Sequence, residues 1–382
     1  MAYFDNAATT YPKPESVYAF MDEFYRNCGA NVGRGAYKLA QTASKLVAET
    51  RELIKEILHC PAKQVIFTPT ATIALNIVIK GLVELGVKNV YISPFEHNAV
   101  TRVLHHYEKS GKVLVSELAV NSSLEFDFEK IHYQFDDCKP DLLIVSHASN
   151  VIGLIAPVEE LFTLAKKYNS YTLADMSQSA GLVDCDVGLS SFDFSVFAGH
   201  KTLYGPTGIS GFVMNPLINL PSVLFGGTGV ESASQDMPES LPERFEMGTL
   251  NIMGISGLNA ALKWIIDIGI DVIASKEKDN RNRLISLLQE YPWIEIIGYV
   301  PERKYVGIVS CRIEGISSDS ASSIFAKMGI SVRTGLQCAP LVHRFLKTFP
   351  AGTIRFSVSY FTSDDDFKEL KNCLDYIDGA II

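Results

Sequence analysis

Two kinds of hydrophobic pattern alternate along the first two thirds of the chain. Leu39, Ala43, Leu46, Val47, Leu53, Ile54 and Ile57 recur at roughly helical spacing, which predicts a long helix over 36–58. Seven short apolar runs follow, at 65–68, 90–93, 113–116, 142–146, 172–174, 192–197 and 209–214, and read as strands. Helical patterns fill several of the gaps, notably 71–85, 98–109 and 157–168. This alternation specifies an α/β fold with a mainly parallel seven-stranded sheet. From about Asn251 the pattern shifts to helices with fewer strands, at 294–297, 307–312 and 353–359. Residues 16–250 are therefore expected to form a large domain, and 1–15 with 251–382 a smaller α/β domain.

Composition narrows the function classes. The 382 residues are 47% hydrophobic and 20% charged, ordinary for a globular protein, with a net charge of −9. That balance argues against a sequence-independent hold on nucleic acid or an anionic membrane, both of which need clustered Lys and Arg. No apolar run approaches the roughly 18 residues of a membrane span. The opening "MAYFDNAATT" has no basic or apolar leader region, so the expected location is the cytoplasm. Seven scattered cysteines, never spaced C-x-x-C, do not fit a disulfide framework or a zinc site, and no metal is expected.

The candidate chemistry gathers at predicted strand ends, where open α/β sheets bind ligands. In "FAGHKTLYGPTG", Lys201 follows an apolar strand and precedes a glycine-rich turn. It reads either as a loop-capping surface lysine or as an amine whose desolvation makes it a Schiff-base nucleophile. In "FTPTATIALN", Ala71 and Thr72 open a helix, as an ordinary cap or as a phosphate cradle. Asp175 in "YTLADMSQSAG" is either a solvated loop acid or the partner of a protonated ring nitrogen, with Gln178 placed for a ring hydroxyl. His97 in "ISPFEHNAV" is either structural or a planar stacking and proton-moving group. Together, lysine, phosphate loop, aspartate and stacker describe a pyridoxal 5′-phosphate site.

From "YFDNAATTYPKP" to "GTIRFSVSYFTS" the chain resembles the fold-type I, class V aminotransferase-like enzymes, in particular the cysteine desulfurase and selenocysteine lyase group. The resemblance implies that Lys201 carries the cofactor, His97 stacks on its ring, Asp175 pairs with its nitrogen and Gln178 contacts its hydroxyl. It also implies that Thr72 and His200 hold the phosphate, that Asn150 lies by the substrate and that Arg355 binds the substrate carboxylate. "RFEMGTLN" resembles a segment that reaches a neighbouring subunit's phosphate through Gly248 and Thr249, which implies a homodimer.

"SVRTGLQCAPLVH" resembles the loop that carries the sulfur-accepting cysteine, placing Cys338 in that role with Arg333 favouring its thiolate. The alternatives are a buried structural cysteine, or a cysteine–histidine pair with His343. The loop departs from the family in having Leu336 and Gln337 where histidine is usual. Ala198 stands where a small hydroxyl residue often precedes Gly-His-Lys. The resemblance implies a desulfurase converting L-cysteine to L-alanine. Its persulfide sulfur would pass to an acceptor protein for iron–sulfur cluster, cofactor or tRNA thiolation pathways. The alternatives are a selenocysteine lyase acting on L-selenocysteine or another C–S lyase, then a class V aminotransferase or epimerase.

Overall fold

The computed structural model describes residues 1–32 and 35–381. In chain order its elements begin with β1 (Ala2–Tyr3), α1 (Glu15–Cys28), α2 (Lys38–Ile57), β2 (Gln64–Thr68), α3 (Ala71–Glu84), β3 (Asn89–Ile92) and α4 (Asn98–Lys109). They continue through β4 (Leu114–Glu117), α5 (Phe128–Asp137), β5 (Leu142–Ser146), α6 (Val158–Lys166), β6 (Tyr171–Asp175), β7 (Phe194–Ala198) and β8 (Ser210–Met214). The remainder comprises α7 (Ile252–Ile268), α8 (Ile270–Gln289), β9 (Ile294–Ile297), β10 (Ile308–Ile313), α9 (Ser318–Lys327), β11 (Ile330–Ser331), β12 (Arg333–Gly335), α10 (Pro340–Phe345), β13 (Thr353–Ser357) and α11 (Asp364–Ile381).

The seven expected strands form one sheet in the order β2-β8-β7-β6-β5-β3-β4. Pairings from β7 through β4 are parallel, and β8 alone runs against its two neighbours. Because β2 and β7 both oppose β8, β2 runs the same way as the parallel strands. The carboxyl ends of β2, β3, β5, β6 and β7 therefore open onto one edge. Strands β5, β7 and β8 are buried at every position, which explains their unbroken apolar character. Helices cover both faces, with separate apolar cores around Val145 and Phe197 on one and Ile144 and Phe212 on the other.

A second sheet, β12-β13-β10-β9, is antiparallel throughout and has its own core, which includes Phe325, Phe356 and Leu374. The N-terminus joins it: β1 pairs with β11, and Ala2 and Phe4 are buried in that core. Helix α7 instead packs on α1 and α2, and Leu258, Ala261 and Ile265 lie in the large sheet's core. Among the described residues no helix is long and apolar enough to cross a membrane.

Candidate active site

Lys201 is held at the sheet edge by backbone geometry. β7 ends at Ala198, and Gly199 passes so close to the returning chain that a Cβ there would lie 2.5 Å from the Ile209 carbonyl. The N-terminal segment then clamps the loop: Thr10 donates its amide to the His200 carbonyl (3.1 Å) and its hydroxyl to the Lys201 carbonyl (2.8 Å). Lys13 Nζ donates to the same His200 carbonyl at 2.7 Å. The Lys201 amine has no hydrogen-bond partner among the described residues, and desolvation brings it down to about 8 against the pull of Asp175.

Lys201 lines a cavity of about 230 Å³ together with Thr72, His97, Asn150, Asp175 and Gln178. Ala71 and His200 line it as well. Six of the eight lie at or just beyond the carboxyl ends of β2, β3, β5 and β6, and His200 and Lys201 follow that of β7. At the start of α3, Thr70 caps the Ile73 amide, leaving the amides of Ala71 and Thr72 without acceptors among the described residues. Asp175 is buried; one oxygen takes the Ser177 amide (3.0 Å) and hydroxyl (2.5 Å), and the other has no protein partner among the described residues. His97 caps α4 by accepting the Ala99 amide on Nδ1 at 3.0 Å, which assigns the proton of the neutral ring to Nε2. Burial, first of all, lowers its pKa and keeps it neutral. Burial likewise holds His200 at about 4, and its Nδ1 is buried without a partner. Gln178 donates to the Ala7 carbonyl at 2.8 Å.

An outer cavity of about 620 Å³ shares Thr72, His97 and Ala99 with the inner one and is edged by Cys338. Cys338 is the exposed cysteine; Cys60, Cys185 and Cys311 are buried, which pushes each thiol to about 12. Gln337 and Cys338 both have left-handed backbone, φ 40° and 58°. That turn is pinned from every side. Asn150 Nδ2 donates to the Gln337 carbonyl at 2.7 Å, and the Asn98 amide to the Cys338 carbonyl at 2.7 Å. The Gln337 side chain donates to the Thr353 carbonyl (3.0 Å) and meets His343 Nε2 at 2.9 Å. His343 is fully buried, with its other nitrogen on Thr348, so the cysteine–histidine pairing does not form.

Arg355 is buried on β13, donating to Asp5 Oδ1 (2.9 Å) and the Asn150 carbonyl (2.8 Å), while its Nε has no partner. Arg333 lies opposite it in register and donates to the other Asp5 oxygen at 2.7 Å. Its guanidinium is thus held by Asp5 on the same side of the small sheet as Arg355. Asp5 and Lys13 are the site residues that reading the sequence did not single out, and their contacts here are with residues far along the chain. Gly248 and Thr249 do not line this chain's inner cavity; Gly248 sits in an open turn and Thr249 beside Phe67 and Ile73. Among the described residues no group of three or more acids, histidines and cysteines is placed to hold a metal ion.

The class-V aminotransferase family model matches residues 2–370, and the chain belongs to that family. A probable cysteine desulfurase of Pyrococcus abyssi is 32% identical, over 98% of this chain and 93% of the relative. The apo structure of a cysteine desulfurase from Thermococcus onnurineus superposes with a TM-score of 0.89 at 29% identity, covering 98% of this chain and 94% of that one. The Escherichia coli cysteine desulfurase CsdA, in an S-sulfonic acid form, gives 0.85 at 25% identity, covering 98% and 94%. This chain is accordingly an enzyme of the cysteine desulfurase type.

Proposed function

We propose that the enzyme uses pyridoxal 5′-phosphate at Lys201 to convert L-cysteine to L-alanine, with the sulfur passing to Cys338. The observation that carries the reading is an unpartnered, desolvated amine and the exposed cysteine on two adjoining cavities separated by His97. The residues present fit the cofactor: a free amine for its aldehyde, a free Asp175 oxygen for its ring nitrogen, and free amides at the start of α3 for its phosphate. When bound, it supplies an electron sink for the α-carbon of an amino acid.

The chain's own groups have distinct tasks. Asp175 keeps the ring nitrogen protonated, and His97 offers its flat face and an Nε2 proton. Arg355 holds the substrate carboxylate with donors left over from Asp5 and Asn150. The Cys338 thiolate attacks the substrate sulfur, forming an S–S bond as the carbon–sulfur bond breaks. The bonding pair stays with the three-carbon fragment, which gains a proton and leaves as alanine. The persulfide then passes to an acceptor protein. Gly248 and Thr249, turned away from this chain's cavity, serve the phosphate site of a second copy in a homodimer.

Alanine release from L-cysteine and L-selenocysteine by Cys338→Ala, with mass analysis of the Cys338 peptide, tests the reading. A desulfurase loses cysteine turnover and the added sulfur atom. Retained selenocysteine activity alone would indicate a lyase, and full cysteine activity would refute the role of Cys338.

A further inference from the structure

Away from this site, a cavity of about 440 Å³ lies between α8, residues 299–307 and residues 182–184. Four charged residues of α8 line it, Asp271, Glu277, Lys278 and Arg281, and of these only Glu277 and Arg281 are buried, with 7% and 6% of their surface exposed. An acid four residues before a base on a helix ordinarily pairs with it. These two form no ion pair with each other among the described residues. Glu277 Oε1 accepts the Gly307 amide at 2.9 Å, and its other oxygen has no partner among the described residues. The Arg281 guanidinium lies 4.2 Å from the Tyr305 ring centre and 5.4 Å from that of Tyr299. Its Nε makes one long bond, 3.4 Å, to the Ile308 carbonyl, and its two terminal nitrogens have no acceptor among the described residues.

Burying a charge without a partner is costly, and aromatic faces offset only part of that cost. Burial correspondingly raises Glu277 to about 7 and lowers Arg281 to about 10. We propose that this cavity is a second ligand site, separate from the lysine cavity, which binds a small zwitterion of the α-amino-acid class. The Arg281 fork takes its carboxylate and the free Glu277 oxygen its ammonium. A simple anion would leave Glu277 unanswered and a simple cation would leave Arg281 so; one zwitterion satisfies both. Leu182, Val183, Ile270 and Tyr299 border the space left for the side chain. The function proposed above consumes and releases amino acids, which gives such a site a regulatory use, but the binding does not depend on that function.

Equilibrium dialysis of labelled L-alanine against the holoenzyme tests the site. The wild type should bind a second equivalent per chain, beyond the one at the catalytic cavity. Arg281→Met and the isosteric Glu277→Gln should each weaken that second equivalent at least tenfold and leave the first unchanged. Arg355→Ala should do the reverse, so that failure of the catalytic reading and failure of this one give different patterns. N-acetyl-L-alanine and L-alaninamide, each lacking one charge, should compete at least tenfold worse for the second equivalent. A single equivalent in the wild type, or a second one unaltered in folded Glu277→Gln, would overturn the proposal.

Discussion

Replacing Arg355 by alanine is the sharpest test of how the substrate is held. The guanidinium has five N–H donors. Two are engaged, by Asp5 at 2.9 Å and Asn150 at 2.8 Å, and Nε is buried without an acceptor. Its side chain is 4% exposed, so a substrate carboxylate would meet it in a desolvated setting. Truncating one partner of a buried, hydrogen-bonded charge pair costs about 2–5 kcal/mol. At about 1.4 kcal/mol per factor of ten, kcat/KM for cysteine should fall roughly 30- to several-thousand-fold. The same change leaves Asp5 with only the half-exposed Arg333, so some loss of stability accompanies it. Arg355→Lys separates the two effects, since it keeps the charge near Asp5 but loses the planar fork, and should be intermediate in kcat/KM. Steady-state alanine release, with cofactor absorbance and thermal unfolding as controls, measures both variants against the wild type. An unchanged KM for cysteine in folded Arg355→Ala would refute the assignment.

Lys201→Ala should abolish turnover and the borohydride-reducible cofactor link, and a link surviving at the same peptide would refute its role. Gln337→Ala should leave cofactor binding intact but lower kcat and stability, because His343 Nε2 would lose its buried partner at a cost of about 1–3 kcal/mol; kinetics with denaturant unfolding check this. Glu96, fully buried with Ser93 and Ser146 donating to it, is pushed up to about 8 by burial, above its ordinary 4.5. The folded state then binds more protons than the unfolded one between those values, so Glu96 costs stability as pH rises from 4.5 to about 8, by up to roughly 1.4 kcal/mol per unit. Glu96→Gln should flatten that slope in pH-dependent unfolding, and an unchanged slope would show that another group causes it.

Local pattern was enough to locate most of the large sheet and the strand-end residues. Buried strands such as β5 and β7 need unbroken apolar runs, and a functional group after such a run stands out: Asp175 after β6, Lys201 after β7, His97 after β3. Short strands in the small domain were less legible. β11 and β12 have two and three residues and exist through pairing with β1, at the other end of the chain, and with β13. The Arg355–Asp5 contact spans 350 residues, and the Asn150–Gln337 contact 187. No local periodicity encodes either, so Asp5 emerged only with the fold.

The departure at Gln337 shows the division plainly. From sequence it was a missing histidine. Folded, its amide meets His343, while its backbone turns left-handed to present Cys338. Residue types and their order thus determined which chemistry the chain can carry, because strand ends and helix starts are local features. Which charges are paired, which stay free and which cysteine meets solvent were decided by tertiary packing alone. Desolvation and hydrogen-bond satisfaction depend on neighbours that only the closed chain brings together.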